Sequence, residues 1–108
     1  MEFNRYQELA RRTQNPELTP EKRLEHALFG LGSEVGEILG IYQKALQGHE
    51  INENEVCKEA GDVLWFISEL CDCLGVSLDY IPQLNIAKLL ERYPDEGFNP
   101  ERSINRKE

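Results

Sequence analysis

Two acid pairs, Glu34-x-x-Glu37 and Glu59-x-x-Asp62, have the residue types and the spacing that could do chemistry. On a helix, positions three apart lie about 60° apart around the axis, so each pair projects its carboxylates to one side. Four carboxylates with no nitrogen or sulfur partner form a hard oxygen donor set, suited to Mg2+ or Mn2+ rather than to zinc. A di-iron bundle would instead require Glu-x-x-His motifs. Neither His26 nor His49 follows a glutamate by three positions. Acid pairs also decorate the solvated helices of any acidic protein, so spacing alone leaves a metal site and a plain surface both open.

The segments that must position these acids are helical, and no stretch alternates like a strand. The first is expected over residues 3–13, with Phe3, Tyr6, Leu9 and Ala10 at helical spacing. Thr19-Pro20 reads as an N-cap followed by a first-turn proline. The second helix is expected from Pro20 to Leu46 or Gln47. Its apolar positions Leu24, Leu28, Leu31, Val35, Ile38, Tyr42 and Ala45 step by fours and threes into one stripe. With Val35 at the centre, Glu34 lies about 100° to one side and Glu37 about 160°, a flank shared with Gly30 and Ile41. Four glycines in this helix, Gly30, Gly32, Gly36 and Gly40, point to close approach of another backbone or a ligand.

Asn52 and Glu55 resemble a capping box and open the third helix. Val56, Ala60, Val63, Ile67, Leu70 and Leu74 continue it down to Gly75, with Glu59 about 40° from Val63 and Phe66 beside Asp62. Ser77, followed by Asp79, is expected to start a fourth helix that stops before Pro94. The fold class is therefore all-α: a four-helix bundle-like protomer of two long and two shorter helices. A domain over 1–98 is followed by a polar, partly flexible tail over 99–108, with little to bury except Phe98 and Ile104.

Composition narrows the function classes. The net charge of −8, from 20 acidic and 12 basic residues, argues against a nucleic-acid partner. No apolar run approaches the ~20 residues of a membrane span, and the N-terminus lacks the apolar stretch of a signal peptide, so a cytoplasmic location is expected. Three cysteines, Cys57, Cys71 and Cys73, match no zinc spacing. A second helix of about 27 residues spans roughly 40 Å. Together with Ile41, Tyr42, Trp65 and Phe66 it exceeds what one small core encloses, so association into at least a dimer is expected.

The ordered set of motifs resembles the MazG-like nucleoside triphosphate pyrophosphohydrolases. Their mark is E-x-x-E, a gap of a dozen to nearly thirty residues, then E-x-x-D. Here the gap between Glu37 and Glu59 holds 21 residues. The flanking text Gly32-Ser-Glu-Val-Gly-Glu37 and Lys58-Glu-Ala-Gly-Asp-Val-Leu-Trp65 is similar too, as is Asn85-Ile-Ala-Lys88-Leu-Leu-Glu-Arg92-Tyr-Pro94. The resemblance covers roughly residues 3–98. It implies that Glu34, Glu37, Glu59 and Asp62 hold Mg2+, with Mn2+ as a possible substitute. It further implies that Lys88 and Arg92 face substrate phosphates and that Asn85 contacts substrate. Tyr93 and Trp65 could each stack on a base or simply pack. The implied reaction is hydrolysis of a nucleoside or deoxynucleoside triphosphate between the α and β phosphates. A dimer or a tetramer is compatible with the resemblance. Two alternatives stand beside this reading: a non-catalytic helical oligomerisation module, and a relative specific for phosphoribosyl-ATP, dUTP or dCTP.

Overall fold

The computed structural model describes residues 1–94 and 97–105. The chain divides into two compact units, Met1–Leu78 and Asp79–Glu108. Among the described residues there are five helices and no strand, and no helix is long and apolar enough to cross a membrane.

The first unit holds α1 (Phe3–Arg11), α2 (Pro20–Leu46) and α3 (Glu53–Leu74). Local chemistry sets their ends. Thr19 accepts the Lys22 N–H, with Pro20 in the first turn, and so starts α2. The helix stops where Gly48 takes a φ of 98°, which lets the His49 N–H return to the Lys44 carbonyl. Asn52 Oδ1 accepts the N–H groups of Asn54 and Glu55 to start α3, and Gly75 at φ 69° ends it. Only half of the expected capping box forms, because the Glu55 carboxylate turns instead to Lys58, 3.3 Å away.

Packing in this unit is dominated by the α2–α3 pair, with α1 laid on α3. α2 and α3 run antiparallel in a clear register: Glu34 lies level with Glu59 and Asp62, Gly30 with Phe66, and His26 with Glu69. The fully buried side chains Ala27, Ser68 and Cys71 are small, as close helix approach requires. Gly30 makes the same point, since a Cβ there would fall 2.1 Å from Phe66 Cε1. α1 is fastened by Gln7, whose amide donates to Asp72 and to the Val76 carbonyl while its Oε1 accepts the Leu78 N–H.

The apolar stripe of α2 does not point its centre at α3. The flank carrying His26, Gly30 and Glu34 faces α3 instead, and Leu31, Ile38 and Ala45, on the near edge of the stripe, are half-buried. Leu24, Leu28, Val35, Leu39, Tyr42 and Leu46, within about 40° of Val35, lie exposed, with Leu39 at 65%.

The second unit holds α4 (Tyr80–Arg92) and α5 (Pro100–Ile104). α4 begins later than Ser77 suggested, and the Asp79 side chain does not cap it. That carboxylate accepts from the Gln83 amide, 2.7 Å away. The short α5 was not expected in the polar tail. It forms because Asn99 caps the Glu101 and Arg102 N–H groups and Pro100 opens the first turn. Residues 106–108 of the expected tail lie outside the described residues.

Candidate metal centre

Glu34 comes from the middle of α2, and Glu59 and Asp62 from the first half of α3. The antiparallel register brings one carboxylate oxygen of each within 4.8 Å of the others. Glu34 and Glu59 are half-buried, whereas Asp62 is exposed. The Glu34 carboxyl is held above its ordinary value, first by a hydrogen bond to Glu59 and next by partial burial. Repulsion from Asp62, Glu59 and Glu37 adds to the rise. Negative charge is thus concentrated where two helices meet, and among the described residues no lysine or arginine is ion-paired to any of the three acids.

Glu37, the fourth acid of the sequence pattern, is exposed and stands outside this tight trio, although its charge is felt at Glu34. An all-oxygen set with surplus negative charge fits a hard divalent cation such as Mg2+ or Mn2+. It does not fit zinc, for which a nitrogen or sulfur ligand is usual.

The layers behind the acids are ordered. One turn along, Phe66 fills the space left by Gly30 and meets Trp65 edge-on at 4.9 Å. One turn further, His26 Nδ1 lies 2.7 Å from Oε1 of Glu69, a carboxylate with no exposed surface. The Trp65 Nε1–H donates to Thr13 Oγ1 at 2.8 Å, tying this layer to the chain after α1. Trp65 is therefore a packing and hydrogen-bonding residue here, one of the two roles open to it from sequence.

Two participants were missed in the sequence. Tyr6 of α1 has its phenol pushed up by burial and then by the Asp62 charge. Glu69 follows Asp62 by seven positions and so lies on the same face of α3, a signal that was available. Asn85, Lys88, Arg92 and Tyr93 all belong to the second unit. Asn85 and Lys88 are exposed on α4. The Arg92 guanidinium sits 5.9 Å from the centre of the Tyr93 ring, which in turn packs against Phe98 at 5.7 Å.

Fold and site together define an all-helical protein with a three-carboxylate cluster between antiparallel helices. Among known proteins, the "Gene 37 protein" of Mycobacterium phage L5 is 32% identical to this chain over 74 residues. That match spans 64% of this chain and 65% of the length of the phage protein. No family model and no solved structure matches the chain.

Proposed function

We propose that this chain is a Mg2+-dependent nucleoside triphosphate pyrophosphohydrolase, releasing a nucleoside monophosphate and pyrophosphate. The observation that carries the reading is the convergence of Glu34, Glu59 and Asp62 oxygens from two helices within 4.8 Å. Such crowding of like charges is unfavourable unless a cation or a proton relieves it. The motif resemblance supplies the reaction.

Glu34, Glu59 and Asp62 would hold the ion, with Glu37 the fourth candidate ligand. Bound there, Mg2+ or Mn2+ supplies charge neutralisation and an acidified water. The carboxylates fix where positive charge can reside, so an incoming triphosphate is oriented with its phosphates towards α2 and α3. By the motif resemblance, Lys88 and Arg92 would contact phosphate oxygens, where their charge would offset that developing on the phosphoryl group. Asn85 and Tyr93 are assigned to the rest of the nucleotide. His26, fixed by Glu69, and the Phe66 layer keep the acid-bearing turns of α2 and α3 in register.

The exposed apolar stripe of α2 supports self-association, and we assign it to a second copy of the chain. Its Leu28, Val35, Leu39, Tyr42 and Leu46 are spaced by sevens and by fours and threes, the pattern of helices that pair along a seam. Association is part of the enzyme reading, and it is the whole of the rival reading as an oligomerisation module.

The test is product analysis on a panel of nucleoside and deoxynucleoside triphosphates, dUTP and dCTP included, and on phosphoribosyl-ATP. Monophosphate plus pyrophosphate should form with Mg2+ and not with chelator, and Glu37→Gln or Glu59→Gln should abolish turnover. Formation of diphosphate plus orthophosphate, or no turnover of any substrate, would sink the proposal. No Mg2+-dependent shift in Tm would leave the oligomerisation module.

A further inference from the structure

At the other end of α3 from the acids, a pocket of about 540 Å³ opens between α1, the start of α2 and the turn after α3. It lies ten residues beyond Asp62, or about 15 Å along the helix. Its size is within the range of small-ligand sites. Arg11, Gln14, Arg23, Asp72 and Ser77 are among its lining residues.

The charges in this pocket do not balance. Asp72 is fully committed: its Oδ1 accepts from Gln7 and twice from Arg11, and its Oδ2 accepts from Gln14. Arg11 is thereby neutralised. Arg23 is not, because no carboxylate lies within ion-pairing distance of it among the described residues. One of its terminal nitrogens, Nη2, donates to the Asn15 carbonyl at 3.1 Å. Its Nε is closed off from solvent yet has no acceptor. In a chain of net charge −8, a lone guanidinium with a sealed, unused donor at the wall of a cavity is out of keeping with its surroundings.

We propose that this pocket is a binding site for a small oxyanion, a phosphate or a carboxylate, held by Arg23 with Arg11 and Gln14 alongside. The guanidinium fork matches both anions, and closing it on one would give the covered Nε–H the acceptor it lacks. Ser77, exposed in the lining, adds a hydroxyl. The Asp72 charge is offset by the Arg11 guanidinium paired with it at 2.7 Å, which leaves Arg23 as the surplus positive charge in the lining. The site is independent of the acid cluster and requires no divalent metal.

The experiment titrates the full chain in EDTA at constant ionic strength with inorganic phosphate and, separately, with acetate and citrate. Binding is followed by calorimetry and by the Arg23 Nε–H resonance in a 1H–15N spectrum. Saturable binding that moves that resonance is expected for one of the two anion classes, and the arm that responds identifies the source. Arg23→Gln should weaken it by at least about tenfold, the loss of one charge-assisted hydrogen bond. Arg5→Gln removes the same charge from α1, away from the pocket lining, and should leave binding unchanged. If Arg23→Gln does not fold, the resonance in the unaltered protein still decides. Absence of saturable binding in both arms, or binding with an unmoved Arg23 Nε–H, overturns the proposal.

Discussion

Gly30→Ala asks whether the helix pair behind the acids is as tightly fitted as its register implies. A Cβ at this position would lie 2.1, 2.4 and 2.5 Å from three atoms of the Phe66 ring. Ordinary contact begins beyond 3.4 Å, so the ring must retreat by more than an ångström. It cannot do so freely, because Trp65 meets it at 4.9 Å and His26 at 5.5 Å, and His26 is anchored to buried Glu69. Overpacking of this kind costs about 1–3 kcal/mol. Alanine returns about 1 kcal/mol through its helix preference. A net loss of up to about 2 kcal/mol is expected, which lowers Tm by as much as roughly 10 °C for a chain of this size. Gly36→Ala is the control, since nothing lies within 4 Å of its Cβ and only the helix gain should remain. Phe66→Leu should restore most of the loss in the Gly30→Ala background and little elsewhere, a coupling that a double-mutant cycle measures. Thermal and urea unfolding of the five proteins suffice. If Gly30→Ala is as stable as Gly36→Ala, the tight α2–α3 layer is refuted, and with it the reason the acids stay in register.

Three further outcomes test other parts of the molecule. Burial pushes the Asp72 carboxyl up, but hydrogen bonds from Arg11, Gln14 and Gln7 outweigh it and hold it below its ordinary value. Its contribution should be fully present above the unfolded value near 3.9 and lost as pH falls through the lower folded value. The stability gap to Asp72→Asn should therefore narrow only below about pH 4, and a gap independent of pH would contradict this. Leu39→Glu, in the exposed stripe of α2, should yield monomers in light scattering while helical content is retained; an unchanged mass would return the stripe to bare surface. His26→Ala strands a carboxylate that has no exposed surface. It should cost roughly 3 kcal/mol in urea unfolding, part of it restored by Glu69→Met, whereas a neutral His26→Ala would show that the pair holds nothing.

The boundaries of α2 and α3 were legible because local chemistry writes them: Thr19-Pro20, Gly48, Asn52 and Gly75 cap or stop a helix through their own backbone geometry. The orientation of α2 was not legible. Its residues have two usable faces, one apolar around Val35 and one mixed around Gly30 and Glu34. Periodicity ranks faces by hydrophobicity, so it chose the first. Close packing chose the second, because Gly30 admits Phe66 and small Ala27 fits the helix contact. The convergence of Glu34 with Glu59 and Asp62 follows from that choice and could not be had from spacing within either helix. Glu37, though part of the same motif, turns about 60° away and stays exposed. Tyr6 was read as a packing residue because nothing local in α1 reveals that Asp62 is near.

That convergence has a consequence for stability as well as for function. Three carboxylates within 4.8 Å repel one another, and even at the high effective dielectric of a half-exposed site each pair costs about 1 kcal/mol. The elevated Glu34 carboxyl records that repulsion together with its hydrogen bond to Glu59. The Gly30–Phe66 and His26–Glu69 layers must therefore hold the acid-bearing turns together against a force driving them apart. A site selected for binding a cation should then be a weak point of the metal-free fold. Glu59→Gln keeps the shape and a hydrogen-bonding partner for Glu34 while removing one charge. In EDTA it should raise stability by up to about 1 kcal/mol; with Mg2+ the unaltered protein should gain stability and Glu59→Gln should not. The two measurements separate the accounts of these acids. If the carboxylates are a structural network, Glu59→Gln is destabilising in both conditions. If they are plain surface charge, Mg2+ stabilises neither protein. Only a metal centre reverses the order of the two proteins between chelator and Mg2+.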